Sequence, residues 1–158
     1  MTLGMPKLAP SDDLFENLAQ GCAEVHRRLG PGFSKNTYEE ALGYELKLRR
    51  LGFQRRIARP VFYRGTRLSS TYTIDLCVEG RFIVDIRAEA ALSTVHRAQL
   101  RFRLRMTGIE AGLLVNFGGA KISDGLVLIR RAEGVLAKPR DALGGEDLDA
   151  EPLERSVA

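Results

Sequence analysis

Apolar residues near the start of the chain recur at helical spacing, with Leu14, Leu18, Cys22 and Val25 on one face. Ser11 or Asp12 stands where a cap belongs, and Gly30-Pro31-Gly32 stops the helix after Leu29. A second helix is expected over residues 37–51, with Tyr38, Leu42, Leu46 and Arg49 in register and Gly52 as its C-cap. After Gly52 the period shortens towards two. Residues 53–63 read as a strand that Pro60 breaks or confines to an edge. Arg64-Gly65-Thr66 is a turn, residues 71–78 are a second strand, Glu79-Gly80-Arg81 is a hairpin turn, and residues 82–88 are a third strand. Residues 96–106 return to helical spacing and stop at Gly108. The nearly continuous apolar run 111–117 suits a buried strand, Gly118-Gly119 turns the chain, and residues 125–129 form a last strand. Two helices, three strands, a helix and two strands imply a mixed central sheet flanked by helices, of the α/β or α+β class.

The chain has 158 residues, which suits one domain. Its 44% hydrophobic and 28% charged residues exclude a collagen-like or wholly disordered protein. No apolar run approaches the ~18 residues of a membrane span, and the N-terminus lacks the basic-then-apolar order of a signal peptide. The expected organisation is a flexible N-terminus over residues 1–12, a domain over 13–131, and an acidic, mostly disordered tail over 132–158. Cys22 and Cys77 are too few for a disulfide framework or a four-thiolate zinc site. They are read as reduced packing residues of a cytoplasmic protein.

Charge sharpens this division. Residues 1–131 hold 21 Lys and Arg against 13 Asp and Glu, a balance of +8, and the remainder holds 3 against 7, a balance of −4. Nineteen of the 24 cations are Arg, which binds carboxylate or phosphate bidentately. Arg97, Arg101 and Arg105 form a basic ridge on the third helix, and Val95, Ala98, Phe102 and Met106 its expected apolar stripe. Arg49, Arg50, Arg55, Arg56 and Arg59 form a second cluster without interleaved aromatics, so base stacking has no support there.

Polar residues interrupt two strands. Ile74, Leu76 and Val78 are expected on one face of the second strand, with Asp75 on the other. On the third strand Asp85 and Arg87 project from the same face, and the hairpin brings Asp75 near Asp85. Two carboxylates beside a cation suit a magnesium site; a salt bridge of Arg87 with Asp75 or Asp85 accounts for the same spacing.

The stretch from Gly30 to about Ile129 resembles the bacterial GxxExxY proteins of the PD-(D/E)XK nuclease superfamily. The likeness rests on GPG and TYEEALGYEL, on Asp75-Leu76, on AL, VH, AQL and the F-x-L of residues 91–104, and on TGIEAGLLVNFG at residues 107–118. It implies a core of a helix, a three-strand meander, a helix and a further strand. It also implies one or two Mg²⁺ ions on an Asp of the meander and on the acid of a (D/E)xK pair, with the Lys positioning water and an upstream Glu completing the site. By that resemblance Asp75 is the first acid, Asp85 the second, and Gln99 a residue of the second core helix. Arg87 falls at the Lys and Lys35 at the Glu of the signature. Arg103 stands where the family tends to show Tyr, and Ala90 replaces a frequent Glu.

A lysine puts positive charge where a metal wants an anion, and a guanidinium cannot lose its proton. The expectation is therefore a degenerate site of Asp75, Asp85, Arg87, Lys35 and Gln99 without metal or other cofactor. The protein would act as a non-hydrolytic binding or scaffold module on nucleic acid or on a protein. Arg97, Arg101, Arg103 and Arg105 are the candidate phosphate contacts. An active nuclease using Mg²⁺ on Asp75 and Asp85 is the first alternative, and a purely structural interaction module the second. A homodimer is compatible, and no membrane partner is expected. His96 shares a helix face with Gln99, as a pocket residue or as a capping or packing one; His26 is expected on the surface of the first helix.

Overall fold

Three helices and five strands follow one another over residues 12–131, which the computed structural model describes. They are α1 (Asp12–Leu29), α2 (Lys35–Leu48), β1 (Phe53–Tyr63), β2 (Thr66–Val78), β3 (Phe82–Arg87), α3 (Thr94–Thr107), β4 (Ala111–Asn116) and β5 (Leu126–Arg130), with a short 3-10 turn at Ile122–Gly125. This is the order that the hydrophobic periods predict. The expected N-terminal segment 1–12, apart from Asp12, and the acidic tail 132–158 lie outside the described residues.

The strands lie side by side in chain order, β1-β2-β3-β4-β5. β3 and β4 are parallel, joined by α3 as a crossover, and the other neighbours are antiparallel. One sheet face carries α1 and α2 over Leu76, Val78, Val84, Ile86, Leu113 and Val115. The other carries α3 over Ile74, Cys77, Ile83, Leu114 and Ile129. Both faces are covered, which explains the continuous apolar run of β4. Tyr38 of α2 stacks on Phe117, ring centres 4.7 Å apart, and donates its hydroxyl hydrogen to Gly30 O at 2.6 Å. The GPG loop is thereby tied to α2. Among the described residues no helix is long and apolar enough to cross a membrane. Cys22 and Cys77 are both buried and free.

Several expectations change in detail. α2 starts at Lys35, two residues earlier than predicted, behind the extended N-cap Ser34. It ends at Leu48 with Arg49 as C-cap, not at Gly52, because Arg50 itself takes the left-handed conformation (φ 58°). Gly52 serves the hairpin instead: its N–H donates to Glu79 Oε1 at 2.6 Å and its carbonyl accepts the Glu79 N–H at 2.8 Å. Glu79 and Gly80 both have positive φ, 53° and 64°, as a tight hairpin needs. β2 begins at Thr66, five residues early, because β1 and β2 make one long ribbon with a register shift between Pro60 and Phe62. α3 gains two residues at its start and one at its end, and other strand ends move by one residue.

Two packing expectations for the helices fail outright. α3 does not bury Val95 and Ala98: Val95 is 60% exposed, and the buried row is His96, Leu100, Leu104 and Thr107. Both rows have helical spacing, and the longer leucines fill the space above Ile83 and Gly112. His26 is 9% exposed, not a surface residue, and its Nε2 lies 2.8 Å from Gly119 O, linking α1 to the loop after β4.

Candidate active site

Asp75 stands where the sheet opens. The β1–β2 ladder passes from Arg55 with Leu76 to Ile57 with Ile74, skipping Arg56 and Asp75, and the β2–β3 ladder starts at Leu76 with Val84. Arg56 opposite takes a positive φ of 50°. The irregularity turns Ile74 to the α3 side, beside Cys77, rather than to the face of Leu76 and Val78. It also frees the Asp75 carboxylate to accept the backbone N–H of Ile86 at 2.9 Å through Oδ2. Its other oxygen, Oδ1, lies 2.9 Å from Lys35 Nζ at the first turn of α2.

Asp85 points to the α3 side of β3, with its side chain 2% exposed. Arg87, two residues on and therefore on the same face, places Nε 3.2 Å from Asp85 Oδ1. Arg103 reaches down from α3 and places Nη1 3.2 Å from Asp85 Oδ2, while its Nε donates to Thr73 O at 2.9 Å. Arg87 Nη2 also donates to Gln99 Oε1 at 2.6 Å. Burial pushes the Asp85 carboxyl above its ordinary value, Arg103 and then Arg87 pull it down, and Asp75 nearby pushes it up again. Burial prevails.

The five residues read from the sequence, Asp75, Asp85, Arg87, Lys35 and Gln99, are thus brought together, and Arg103 joins them. The predicted salt bridge of Arg87 is to Asp85; the partner of Asp75 is Lys35. Both carboxylates carry cationic partners, three in all, so the cluster has a formal charge of +1 when both acids are ionised. Among the described residues no group of three or more His, Cys, Asp and Glu side chains is arranged to hold a metal ion.

His96 takes the capping role. It is the third residue of α3; its N–H donates to Ser93 Oγ at 3.4 Å while its Nδ1 accepts the Ser93 N–H at 3.1 Å. Its Nε2 meets Glu89 Oε2 at 3.0 Å. Arg101 and Arg105 are exposed on α3 and Arg97 is half-buried beside a cleft of about 410 Å³, so these three stand apart from the Asp85 cluster.

The sequence reading missed Asn116, which is buried and pairs in register with Arg87. Its Oδ1 accepts the N–H of Glu89 at 2.9 Å and of Gly118 at 3.1 Å, and its Nδ2 donates to Glu89 O at 2.9 Å. It fixes the chain leaving Arg87. An Asn ending an otherwise apolar strand just before Phe-Gly-Gly was the available signal.

No curated protein and no solved structure matches the chain significantly. The family model of the PD-(D/E)XK nuclease superfamily matches residues 12–131, the whole of the sheet, its helices and the Asp75–Asp85 cluster. The chain belongs to the PD-(D/E)XK nuclease superfamily.

Proposed function

We propose that the chain is a degenerate, GxxExxY-like member of its superfamily, a pseudo-nuclease that binds nucleic acid without hydrolysing it. The reading rests on one observation: each carboxylate that would hold a metal is held by a cation. Lys35 meets Asp75, and Arg87 and Arg103 meet Asp85. A divalent ion needs several oxygen donors with their lone pairs free. Here the donors are two carboxylates whose oxygens face Nζ, two guanidiniums and the Ile86 N–H. Three resident positive charges would also repel Mg²⁺. This donor set does not fit a divalent cation. The same cations suit a phosphate held in place, and the basic balance of residues 1–131 adds non-specific attraction.

A protein partner is the second reading. Tyr44 and Leu48 of α2 are largely exposed, and Tyr44 lines a cleft of about 550 Å³ between α2 and β1. Such apolar exposure suits a protein surface better than a phosphate backbone.

Calorimetry with Mg²⁺ and Mn²⁺ tests the first reading. Wild type is expected to be silent, and the Arg87→Lys, Lys35→Glu double variant to bind, since it restores an acid and a smaller cation. Binding by wild type would overturn the degenerate site and call for a cleavage assay with Asp75→Ala as control. Affinity for duplex DNA that falls steeply with salt supports the nucleic-acid role; affinity absent at moderate salt favours the protein partner.

A further inference from the structure

Among the described residues, nothing packs on the outer face of the third helix. α3 contains no Asp or Glu. Arg97, Arg101 and Arg105 recur along it every four residues, and Val95 (60% exposed) and Ala98 lie exposed on the same helix. The Arg105 guanidinium lies 5.8 Å from the Phe102 ring, and no carboxylate among the described residues pairs with any of the three ridge arginines. The other arginine cluster differs. Arg49 is engaged by Glu45 and Asn17, and Arg55 and Arg56 by Glu39. The ridge of α3 is therefore a basic surface, with apolar residues on it and no acidic partner among the described residues.

The chain supplies one of matching chemistry. Residues 146–154, EDLDAEPLE, hold five acids, Glu146, Asp147, Asp149, Glu151 and Glu154, with Leu148 and Leu153 and no Lys or Arg. We infer that this segment docks in cis along the exposed face of α3, its acids against Arg97, Arg101 and Arg105 and its leucines against Val95 and Ala98.

The point of departure favours it. The Arg131 N–H donates to Glu110 O at 2.7 Å, so the tail leaves the sheet two residues beyond Gly108, the C-cap of α3. Fourteen residues then lie between Arg131 and Glu146. A chain of that length can span up to about 50 Å when extended, and a helix of fourteen residues is about 21 Å long. The acidic segment can thus reach any turn of α3, at an effective concentration in the millimolar range. The docking does not depend on the proposed function. Its consequence does: tail and nucleic acid would compete for the same arginines, and the tail would select against weak, non-specific binding.

Paramagnetic relaxation in the full chain tests this. Ala150→Cys gives one accessible thiol for a nitroxide, since Cys22 and Cys77 are buried. Amide signals of residues 95–105 are expected to fall at least twofold against the reduced label. The effect should vanish in E146Q/D147N/D149N/E151Q/E154Q, and in about 1 M salt, where the screening length is about 3 Å. Absence of broadening on α3, or broadening centred on another surface, would overturn the proposal. So would equal broadening when labelled and isotope-enriched chains are different molecules, which would mean contact between copies. Duplex DNA affinity is measured in parallel: the neutralised tail should bind about tenfold tighter, a gain of about 1.4 kcal/mol. If neither chain binds DNA, the nucleic-acid reading falls while the relaxation data still decide the docking.

Discussion

Lys35 Nζ stands 2.9 Å from Asp75 Oδ1, joining the first turn of α2 to the strand where the sheet opens. The two ends of this pair do not matter equally. The Lys35 side chain is 40% exposed, so its removal costs the pair only what an exposed ion pair gives, below about 1 kcal/mol. Asp75 also satisfies the Ile86 N–H at the start of the gap between ladders. Asp75→Ala leaves that donor without its acceptor and should cost about 1–3 kcal/mol. Asp75→Asn keeps an acceptor oxygen and should recover most of the loss. Urea unfolding of the three variants checks the order; a Lys35→Ala loss as large as that of Asp75→Ala would contradict it.

Asp85 gives the cluster a pH dependence of defined sign. Burial raises its native pKa above the ordinary Asp value, which is about 3.9, while the unfolded chain keeps that ordinary value. Between the two values the native state holds the proton and the unfolded state does not. Stability therefore falls as pH rises through that window, and the loss is complete above the native pKa. Asp85→Asn should flatten this fall. Arg103 is the largest opposing charge, so Arg103→Ala should move the Asp85 carboxyl further up. A carbon-detected NMR titration of the Asp side chains reads both effects directly. An Asp85 titration at or below the ordinary value in wild type would show that the two arginines outweigh burial.

The succession of elements was legible because each buries a stripe of its own period, and Gly30-Pro31-Gly32, Glu79-Gly80 and Gly108 mark the breaks. That Asp85 and Arg87 share a face was legible too, since they stand two apart on a strand, but whether Arg87 pairs with Asp75 or Asp85 was left open until the structure gave Asp85. Lys35 and Arg103 entered through the family resemblance, not through spacing, because each reaches the site from a separate helix. What the sequence hid depends on the sheet as a whole. The skipped pair at Arg56 and Asp75 moves Ile74 across the sheet, and strict alternation cannot foresee it. The choice between Val95 and Leu100 as the inner row of α3 turns on which side chain fits above Ile83. His26 is buried where α1 meets the Gly118-Gly119 turn, a contact between distant parts of the chain that helical spacing cannot foresee.

The loop after β3 is fixed by backbone contact as well as by Asn116. A Cβ on Gly118 would run into the Glu89 carbonyl, a main-chain atom that cannot turn aside as a side-chain end can. Gly118→Ala should cost about 1–3 kcal/mol, the range for overpacking a well-filled site. Asn116→Ala removes three hydrogen bonds to the same loop and should cost about 2–4 kcal/mol. The two sites act on one segment, so the double variant should lose less than the two single losses together. Strict additivity in thermal or urea unfolding would mean that Gly118 and Asn116 hold different parts of the structure.

The two thiols report on the integrity of both cores. Cys22 lies in the cluster under α1 and α2, and Cys77 in the cluster under α3. Burial pushes the Cys22 thiol up to about 12 and the Cys77 thiol up to about 11, so little of either is thiolate at neutral pH. Neither should react with an aromatic disulfide reagent in the native protein at pH 8, and both should react at once in guanidinium chloride. Under slow native-state labelling each thiol becomes available only when its own face of the sheet opens. Cys77 sits one residue before the end of β2, beside the hairpin turn, whereas Cys22 lies in the middle of α1. It should therefore label first. Asp75→Ala loosens β2 against β3 close to Cys77, and it should speed Cys77 labelling more than Cys22 labelling. Equal acceleration of both would mean that the two faces open together as one cooperative unit.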